Sequence, residues 1–335
     1  MPLQSRLLRQ FASLIFASGL GFAAAFAGAA DPAPLRVKVF QGAQNLPIYV
    51  GIEKGIFAKH GVKVELQYTR SSTELRNGLA AGDFEIAVSG VDNAVALVEV
   101  AGKDVIIVMG GDSSMNEFLV QSEIGSVAEL RGKTLVVDAP NTAYAILAKK
   151  ILLNNGLREG DYAVKPVGGS TQRLKAMLDN KENAAVVLGV PFSILAVQNG
   201  LKSLGRTVDL LGPYQANGAY VMRAWAQANA QTLERYIAGY VESLRWAMQP
   251  ANRAECVAML VERLKLAPEV AERAYDLLRE PKFGLDPDAR FNPDGFKNLL
   301  ALRAEFEGPA GASPPTQEKY IDLSYYQRAI AALAR

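Results

Sequence analysis

The sequence has a single cysteine and a single histidine, and this scarcity excludes several kinds of chemistry. Cys256 cannot form a disulfide within the chain, and Cys256 and His60 together are too few for a zinc site of Cys and His ligands. His60 precedes Gly61 at the predicted end of a helix, where histidine and glycine are both common, so we assign His60 a structural role. No second histidine is present that could serve as the base of a catalytic triad. The sequence also has no Walker phosphate loop and no Gly-x-Ser-x-Gly elbow. We therefore expect no enzyme activity, no metal and no cofactor.

The chain also lacks a marked excess of charge of either sign. It has 36 basic and 34 acidic side chains, and removing residues 1–30 would take away Arg6 and Arg9 but no acid, which leaves 34 of each. The basic residues are scattered along the chain, whereas nucleic-acid binders concentrate them to neutralise phosphates. We expect no nucleic-acid partner.

Long apolar runs are absent except at the amino terminus. Arg6 and Arg9 precede an apolar run over residues 11–26, and small residues follow at 27–29. This pattern predicts a secretory signal peptide over residues 1–30. A transmembrane anchor is the alternative, but the run is shorter than the roughly 20 residues that a span needs, and serines and glycines interrupt it. Because no cysteine lies near the predicted cleavage site for lipid attachment, we expect a protein released into the periplasm.

Short β-rich runs alternate with amphipathic segments through the first two thirds of the chain. The predicted strands cover residues 35–40, 62–68, 84–88, 105–109, 134–137, 162–167, 185–188 and 219–222. The predicted helices cover residues 47–60, 73–81, 92–101, 142–153, 171–178 and 192–198. Such alternation predicts parallel sheets with helices on their faces. A helical carboxyl-terminal tail is predicted over residues 231–248, 256–264, 268–280, 294–307 and 320–334.

Two breaks in this alternation divide the chain. One is the segment GGDSS at residues 110–114, and the other is GPYQANG at residues 212–218. About 305 residues after removal of a signal peptide exceed the usual size of one domain, although one large barrel is an alternative. The paired breaks favour two lobes joined by two hinge crossings. We predict lobe 1 from residues 31–112 and 216–335, and lobe 2 from residues 113–215.

Four segments resemble a known family when they are taken in order. They are GAQNLPIYVGIEKGIF at residues 42–57, GVKVEL at 61–66, NGLAAGDFEIA at 77–87 and LRGKTLVV at 130–137. They resemble the nitrate/sulfonate/taurine-type substrate-binding proteins of ABC importers. The resemblance implies an α/β periplasmic-binding-protein type II fold, with two Rossmann-like lobes that hold a small-molecule ligand between them. The partners that it implies are the permease subunits at the inner membrane. We expect a monomer, although the sequence leaves the oligomeric state open.

Candidate ligand-binding residues follow from the rule that ligands sit beyond the carboxyl ends of strands in open α/β sheets. Several candidates start predicted helices, whose free N–H groups favour an anion, although the same residue types cap helices in any protein. Arg70 could pair with a carboxylate or sulfonate, Tyr144 could stack on a planar ligand, and Arg173 could brace its lobe or meet the ligand. The predicted set is Gln44, Asn45, Arg70, Ser71, Ser72, Ser89, Gly90, Asp92, Asn141, Thr142, Tyr144, Ser170, Thr171, Gln215 and Asn217.

The leading hypothesis for the function is capture of a small organic anion by closure of the two lobes. The anion would be a sulfonate or a carboxylate, with an aromatic carrier also allowed. The family resemblance admits a second hypothesis, a binder of thiamine-pyrimidine precursors or a relative of pyrimidine synthases, whose cysteine-rich motif this sequence lacks. A third hypothesis is a ligand-sensing ectodomain that contacts a membrane receptor.

Overall fold

The structure is a computed structural model that describes residues 33–308 and 313–334. The predicted signal peptide, residues 1–30, lies outside the described residues. In the described part of the chain, no helix is both long enough and apolar enough to cross a membrane. Two five-stranded mixed sheets, each with helices packed against it, organise the fold.

The first sheet, with its helices, is called lobe 1 below. Its strands are β1 (Leu35–Phe40), β2 (Val64–Thr69), β3 (Ile86–Gly90), β4 (Val105–Met109) and β10 (Asn217–Met222), in the order β2-β1-β3-β10-β4. β1 runs parallel to β2 and β3, and β10 runs antiparallel between β3 and β4. Leu35, Val37 and Val39 are buried while the residues between them are half-buried, which is the period of two expected for a strand.

The second sheet, with its helices, is called lobe 2. Its strands are β5 (Glu117–Val120), β6 (Thr134–Val137), β7 (Ala163–Pro166), β8 (Asn183–Leu188) and β9 (Lys202–Arg206), in the order β7-β6-β8-β5-β9. β6 runs parallel to β7 and β8, whereas β5 runs antiparallel to β8 and β9. The sequence did not predict β5 or β9. β9 lies at the sheet edge and none of its residues is buried, so it has no apolar pattern to reveal it.

From residue 33 onwards, eight α-helices precede the tail. In lobe 1 they are α1 (Leu46–Glu53), α2 (Ile56–Lys59), α3 (Ser72–Ala81) and α4 (Asp92–Glu99), and in lobe 2 they are α5 (Ala143–Asn154), α6 (Ser170–Asp179), α7 (Phe192–Gln198) and α8 (Thr207–Leu211). The single helix predicted over residues 47–60 is wrong, because Gly55 takes a left-handed conformation with φ of 67° and separates α1 from α2.

The described residues of the tail form six α-helices. They are α9 (Arg223–Ala228), α10 (Ala230–Met248), α11 (Arg253–Leu264), α12 (Pro268–Leu278), α13 (Pro293–Glu307) and α14 (Ser324–Leu333). α10 buries Leu233, Ile237 and Val241 and packs against α1 and α14. The last helix begins later than predicted, because Ile321 instead pairs with Ile107 of β4 in an isolated β-bridge.

Two crossings connect the lobes, one between β4 and β5 and the other between α8 and β10. They are bonded to each other, since Ala216 N donates to Asp112 O at 3.1 Å and Asn217 Nδ2 donates to the Asp112 carboxylate. The predicted fold class is confirmed: an α/β periplasmic-binding-protein architecture with two hinge crossings and a helical tail.

Candidate ligand-binding cleft

Loops from the two sheets face each other and enclose a cleft with two adjoining chambers. Both chambers are lined by Phe40, Gln44 and Tyr144. The Arg173 chamber is otherwise lined by Gln41, Gly169, Ser170, Arg173, Gly189, Val190 and Phe192. The Asp92 chamber is otherwise lined by Ser72, Gly90, Asp92, Asn93, Asn116, Thr142, Ala143, Tyr214, Ala216 and Asn217.

The two lobes touch directly across this cleft, so the conformation is closed. Ala43 N of lobe 1 donates to Val190 O of lobe 2 at 3.2 Å, and Gly169 N of lobe 2 donates to Arg70 O of lobe 1 at 2.9 Å. The second contact depends on small residues. Gly168 has φ of 98°, and a Cβ atom there would lie 3.1 Å from Arg70 O. A side chain at Gly168 would therefore be strained in its backbone conformation and would crowd the Arg70 carbonyl.

Arg173 is a buried cation in its chamber, with 1% of its surface exposed. Nη1 donates to Gly168 O and Nη2 to Ser170 Oγ, both at 3.0 Å, and Nε is buried without a hydrogen bond. The guanidinium carbon lies 4.4 Å from the centre of the Tyr144 ring. Burial lowers the pKa of Arg173, but a guanidinium stays protonated in proteins. The chamber thus holds a desolvated positive charge with a free donor.

The first turn of α6 adds partial positive charge to the same chamber. Its N-cap residue is Gly169, which has no side chain to cap the free N–H groups. Gly169 and Ser170 both line the chamber. A helix start carries roughly half a positive charge, so α6 and Arg173 act in the same direction on an anion.

Asp92 joins the lobes in the other chamber. It is 2% exposed, and its Oδ2 accepts a hydrogen bond from Ala143 N, the first residue of α5, at 2.8 Å. Thr142, the N-cap residue of α5, makes no side-chain cap bond, so a lobe 1 carboxylate caps a lobe 2 helix. Arg303 of α13 lies 3.8 Å from the same oxygen and donates to Asn141 O at 3.3 Å. Burial raises the pKa of Asp92, and the charge of Arg303 opposes this rise.

Two further oxygens, Asn93 Oδ1 and Asp138 Oδ1, are buried without a hydrogen-bond partner. The Asn93 amide donates through Nδ2 to Gly90 O at 3.2 Å. The other oxygen of Asp138 accepts a hydrogen bond from Ser72 Oγ, which links lobe 2 to the start of α3 in lobe 1. Buried polar atoms are nearly always paired, so these two acceptors and Arg173 Nε need an explanation.

Eight of the fifteen predicted residues line the cleft. They come from the connections after five strands of the two lobes and from the return crossing, and they are Gln44, Ser72, Gly90, Asp92, Thr142, Tyr144, Ser170 and Asn217. The strand-end rule selected these side chains from distant parts of the sequence, and the fold places them together in the cleft.

Three other predicted residues make hydrogen bonds within lobe 1. Asn45 Nδ2 donates to Phe40 O at 2.7 Å and holds the turn after β1. Ser71 Oγ accepts from Glu74 N and caps α3, and Ser89 Oγ is hydrogen-bonded to the Tyr220 hydroxyl. The remaining four lie around the cleft. Arg70 and Thr171 are exposed, the Asn141 carbonyl accepts from Arg303, and the Gln215 side chain bonds to both Asn217 O and Asn292 N.

The predicted set did not include Arg173, Asn116 or Asp138. Arg173 lies on the buried face of α6. Its place in the sequence pattern does not show whether it braces the lobe or contacts the ligand. Asn116 precedes β5, a strand that the sequence did not reveal. Asp138 follows β6 directly, so the strand-end rule could have found it.

Metal-ligating side chains do not cluster in residues 33–308 and 313–334, where no group of three or more His, Cys, Asp or Glu is placed to hold an ion.

The chain matches the NMT1-like family over residues 28–261. Among curated proteins, none matches the sequence.

Several solved structures share the fold. One is a protein from Bordetella bronchiseptica RB50, with a TM-score of 0.76 and 20% identity over 91% of this chain and 99% of that one. Another is the periplasmic nitrate-binding protein NrtA from Synechocystis PCC 6803, with a TM-score of 0.75 and 15% identity over 90% and 89%. A third is the alkanesulfonate-binding protein SsuA from Xanthomonas axonopodis pv. citri bound to MOPS, with a TM-score of 0.66 and 18% identity over 82% and 94%.

Proposed function

The chain belongs to the NMT1-like family, and from that premise we propose that it is the periplasmic substrate-binding protein of an ABC importer. Its ligand in this proposal is a small organic anion, a sulfonate or a carboxylate on an aliphatic or aromatic carrier. Two of the similar structures support this reading, since one binds nitrate and the other binds alkanesulfonates, and both of these ligands are anions.

The observation that carries the proposal is the state of Arg173. A buried cation is costly unless an anion or a full set of hydrogen bonds compensates it. The guanidinium donates to a carbonyl and a hydroxyl, and the Tyr144 hydroxyl and the Asp138 carboxylate also act on its charge, but burial still lowers its pKa and Nε has no hydrogen-bond partner. A sulfonate or carboxylate would accept from Nε and from the free N–H groups of α6, and it would balance the charge.

The other ligand contacts are proposed among the eight predicted residues that line the chambers. Tyr144 lies between the chambers and already stacks under Arg173, so it could pack against the carbon skeleton of the ligand. Gln44 and Ser170 offer neutral hydrogen-bonding groups in the Arg173 chamber. These contacts come from both lobes, so the ligand would be held completely only when the lobes are closed.

Capture would work by population shift. A ligand that contacts both lobes binds the closed form more tightly and shifts the equilibrium towards it. The closed lobes would then present their outer faces to the permease. Export would be tested by mass spectrometry of the periplasmic protein, which should have lost about residues 1–30.

The test of the anion site is an Arg173→Gln variant of the exported protein. A panel of sulfonates and carboxylates should contain a micromolar ligand of the wild type in isothermal titration calorimetry. The substitution should weaken it by about tenfold to a hundredfold, because a charged hydrogen bond is worth about 1.5–3 kcal/mol. Arg173→Lys should recover part of this loss, since it keeps the charge but loses the planar donors.

Lys175→Gln is the matched control. Lys175 lies on the same helix and its side chain is 75% exposed, so removing its charge should leave the affinity unchanged. An unchanged affinity in folded Arg173→Gln, or the absence of any ligand in the panel, would refute the anion site. The importer role would be checked by stimulation of ATP hydrolysis in reconstituted permease, with an absence of stimulation as the contrary result.

A further inference from the structure

The Asp92 chamber has an unpartnered acceptor of its own, at the end of the cleft away from Arg173. Asn93 lines this chamber and is 3% exposed, and its Oδ1 is buried without a hydrogen bond. The amide orientation is fixed, because Nδ2 donates to Gly90 O at 3.2 Å. A flipped amide would place two oxygens against each other, so Oδ1 is the atom left to accept.

The Asp92 carboxylate differs from the Asn93 amide, because one of its oxygens already has partners. Asp92 Oδ2 already accepts from Ala143 N at 2.8 Å and faces Arg303 at 3.8 Å. Asp92 Oδ2 is therefore already partnered within the protein. The buried acceptor that lacks a donor in this chamber is the neutral Asn93 Oδ1.

On this basis we propose that the ligand has two unlike ends, and the inference rests on the anion site proposed above. One end is the anionic group in the Arg173 chamber. The other end is an uncharged N–H or O–H donor, such as a hydroxyl, an amide or a ring-bound amino group, that bonds to Asn93 Oδ1. Asn93 is thereby assigned as a residue that determines specificity. An ammonium group should have no advantage over a neutral donor, because the acceptor is uncharged and the Asp92 carboxylate nearby already faces Arg303.

Matched ligand series test this assignment. Each series keeps the anion and the carrier and varies only the far end among methyl, hydroxyl and amine. Suitable series are butanesulfonate, 3-hydroxypropanesulfonate and 3-aminopropanesulfonate; pentanoate, 4-hydroxybutyrate and 4-aminobutyrate; and 4-methylbenzoate, 4-hydroxybenzoate and 4-aminobenzoate. The amine is an ammonium in the aliphatic series and uncharged in the aromatic one, which separates charge from hydrogen bonding.

The expected result is that, in the series that binds best, a neutral donor improves the dissociation constant over the methyl compound by about tenfold to a hundredfold. In Asn93→Leu this advantage should disappear. In Asn93→Asp the preference should move towards the aliphatic ammonium. Each comparison is a ratio between two ligands in one variant, so a variant that is partly misfolded loses both affinities without changing the ratio.

Three outcomes would overturn the inference. If methyl and hydroxyl compounds bind equally well, the anion site stands and the donor end is wrong. If the ammonium binds best to the wild type, the neutral character of the far end is wrong. If no anion in the three series binds, the proposed function fails and this inference fails with it.

Discussion

The hydrogen bond from Ala143 N to Asp92 gives the sharpest prediction about lobe closure. Asp92→Asn keeps the size of the side chain and removes its charge. The first N–H of α5 can still meet an amide oxygen, but it loses a carboxylate that caps the helix across the cleft. We expect the closed population of the ligand-free protein to fall.

The magnitude follows from the contacts that cross between the lobes. The attraction between Asp92 and Arg303 at 3.8 Å has a Coulomb energy of about 4 kcal/mol at an effective dielectric constant of 20, but Arg303 lies on α13 of the tail, so this attraction does not itself join the two sheets. Burial still raises the pKa of Asp92, so desolvation outweighs this attraction and global stability should change little. Replacing a charged cap by a neutral one costs about 1–2 kcal/mol, which corresponds to a roughly fivefold to thirtyfold shift in the closing equilibrium.

Distance measurements between spin labels would report this shift directly. Val100 of lobe 1 and Leu178 of lobe 2 have exposed side chains and can be replaced by labelled cysteines. The native Cys256 is buried, and burial raises the pKa of its thiol to about 12, so it should react slowly with the label. Asp104→Asn removes an exposed carboxylate of the same lobe and is the control.

Ligand-free protein is the decisive sample, because Asp92 also lines the cleft and could touch the ligand. A distance distribution in Asp92→Asn that equals the wild-type distribution, with and without ligand, would show that this cap does not help to close the lobes. A change in affinity alone, without a change in the ligand-free distances, would assign Asp92 to ligand contact instead.

The remaining predictions concern stability. Burial raises the folded-state pKa of Asp92 above its usual 3.8, so the folded state takes up a proton at a higher pH than the unfolded state does. Lowering the pH from above the folded-state pKa to below 3.8 should therefore stabilise the wild type relative to Asp92→Asn, and the effect should be complete below pH 3.8. Urea midpoints would measure this difference. Tyr236→Phe should be neutral or stabilising by up to about 1 kcal/mol because its hydroxyl is buried without a partner, whereas Tyr275→Phe, which loses a bond to a backbone carbonyl, should cost about 1 kcal/mol in thermal melts. Gly51→Ala should cost about 1–3 kcal/mol, because its Cβ atom would lie 2.4 Å from the Phe57 ring; an unchanged melting temperature would contradict this packing.

Much of the fold could be predicted because the apolar patterns end where turn-forming or polar residues begin. β1, β4, β6 and α7 begin and end at the predicted residues. β4, β6 and α7 are mainly apolar runs between turn-forming or polar residues, and β1 alternates apolar with basic residues. β9 shows where this reasoning stops. Its sequence KSLGR has no apolar alternation, and pairing with β5 forms it as an edge strand.

The site was predictable in position but not in chemistry. Strand ends identified the loops, because topology brings them to one edge of each sheet. The sequence could not tell a solvated arginine from a desolvated one. Arg70 was selected and its side chain is exposed, whereas Arg173 was left open and is buried. Burial depends on which lobe surfaces meet, and no local pattern encodes that.

The tail contributes to closure from outside the cleft. α13 bonds to the return crossing, since Asn298 Nδ2 donates to Leu211 O at 3.1 Å and to Pro213 O at 2.9 Å. It also reaches the start of α5 through the bond from Arg303 to Asn141 O. Because the Arg303 bond joins α13 to lobe 2, we expect it to favour the closed form in the absence of ligand. Less of the free energy of ligand binding would then be spent on closing the lobes.

This division separates two kinds of variant. A substitution that loosens α13 changes the fraction of binding-competent protein, and every ligand should then weaken by the same factor. A substitution of Arg173 or Asn93 changes a contact with one end of the ligand, and only ligands that carry the matching group should be affected. Selectivity between ligands therefore belongs to the two chambers, whereas the overall scale of affinity also depends on helices that never touch the ligand.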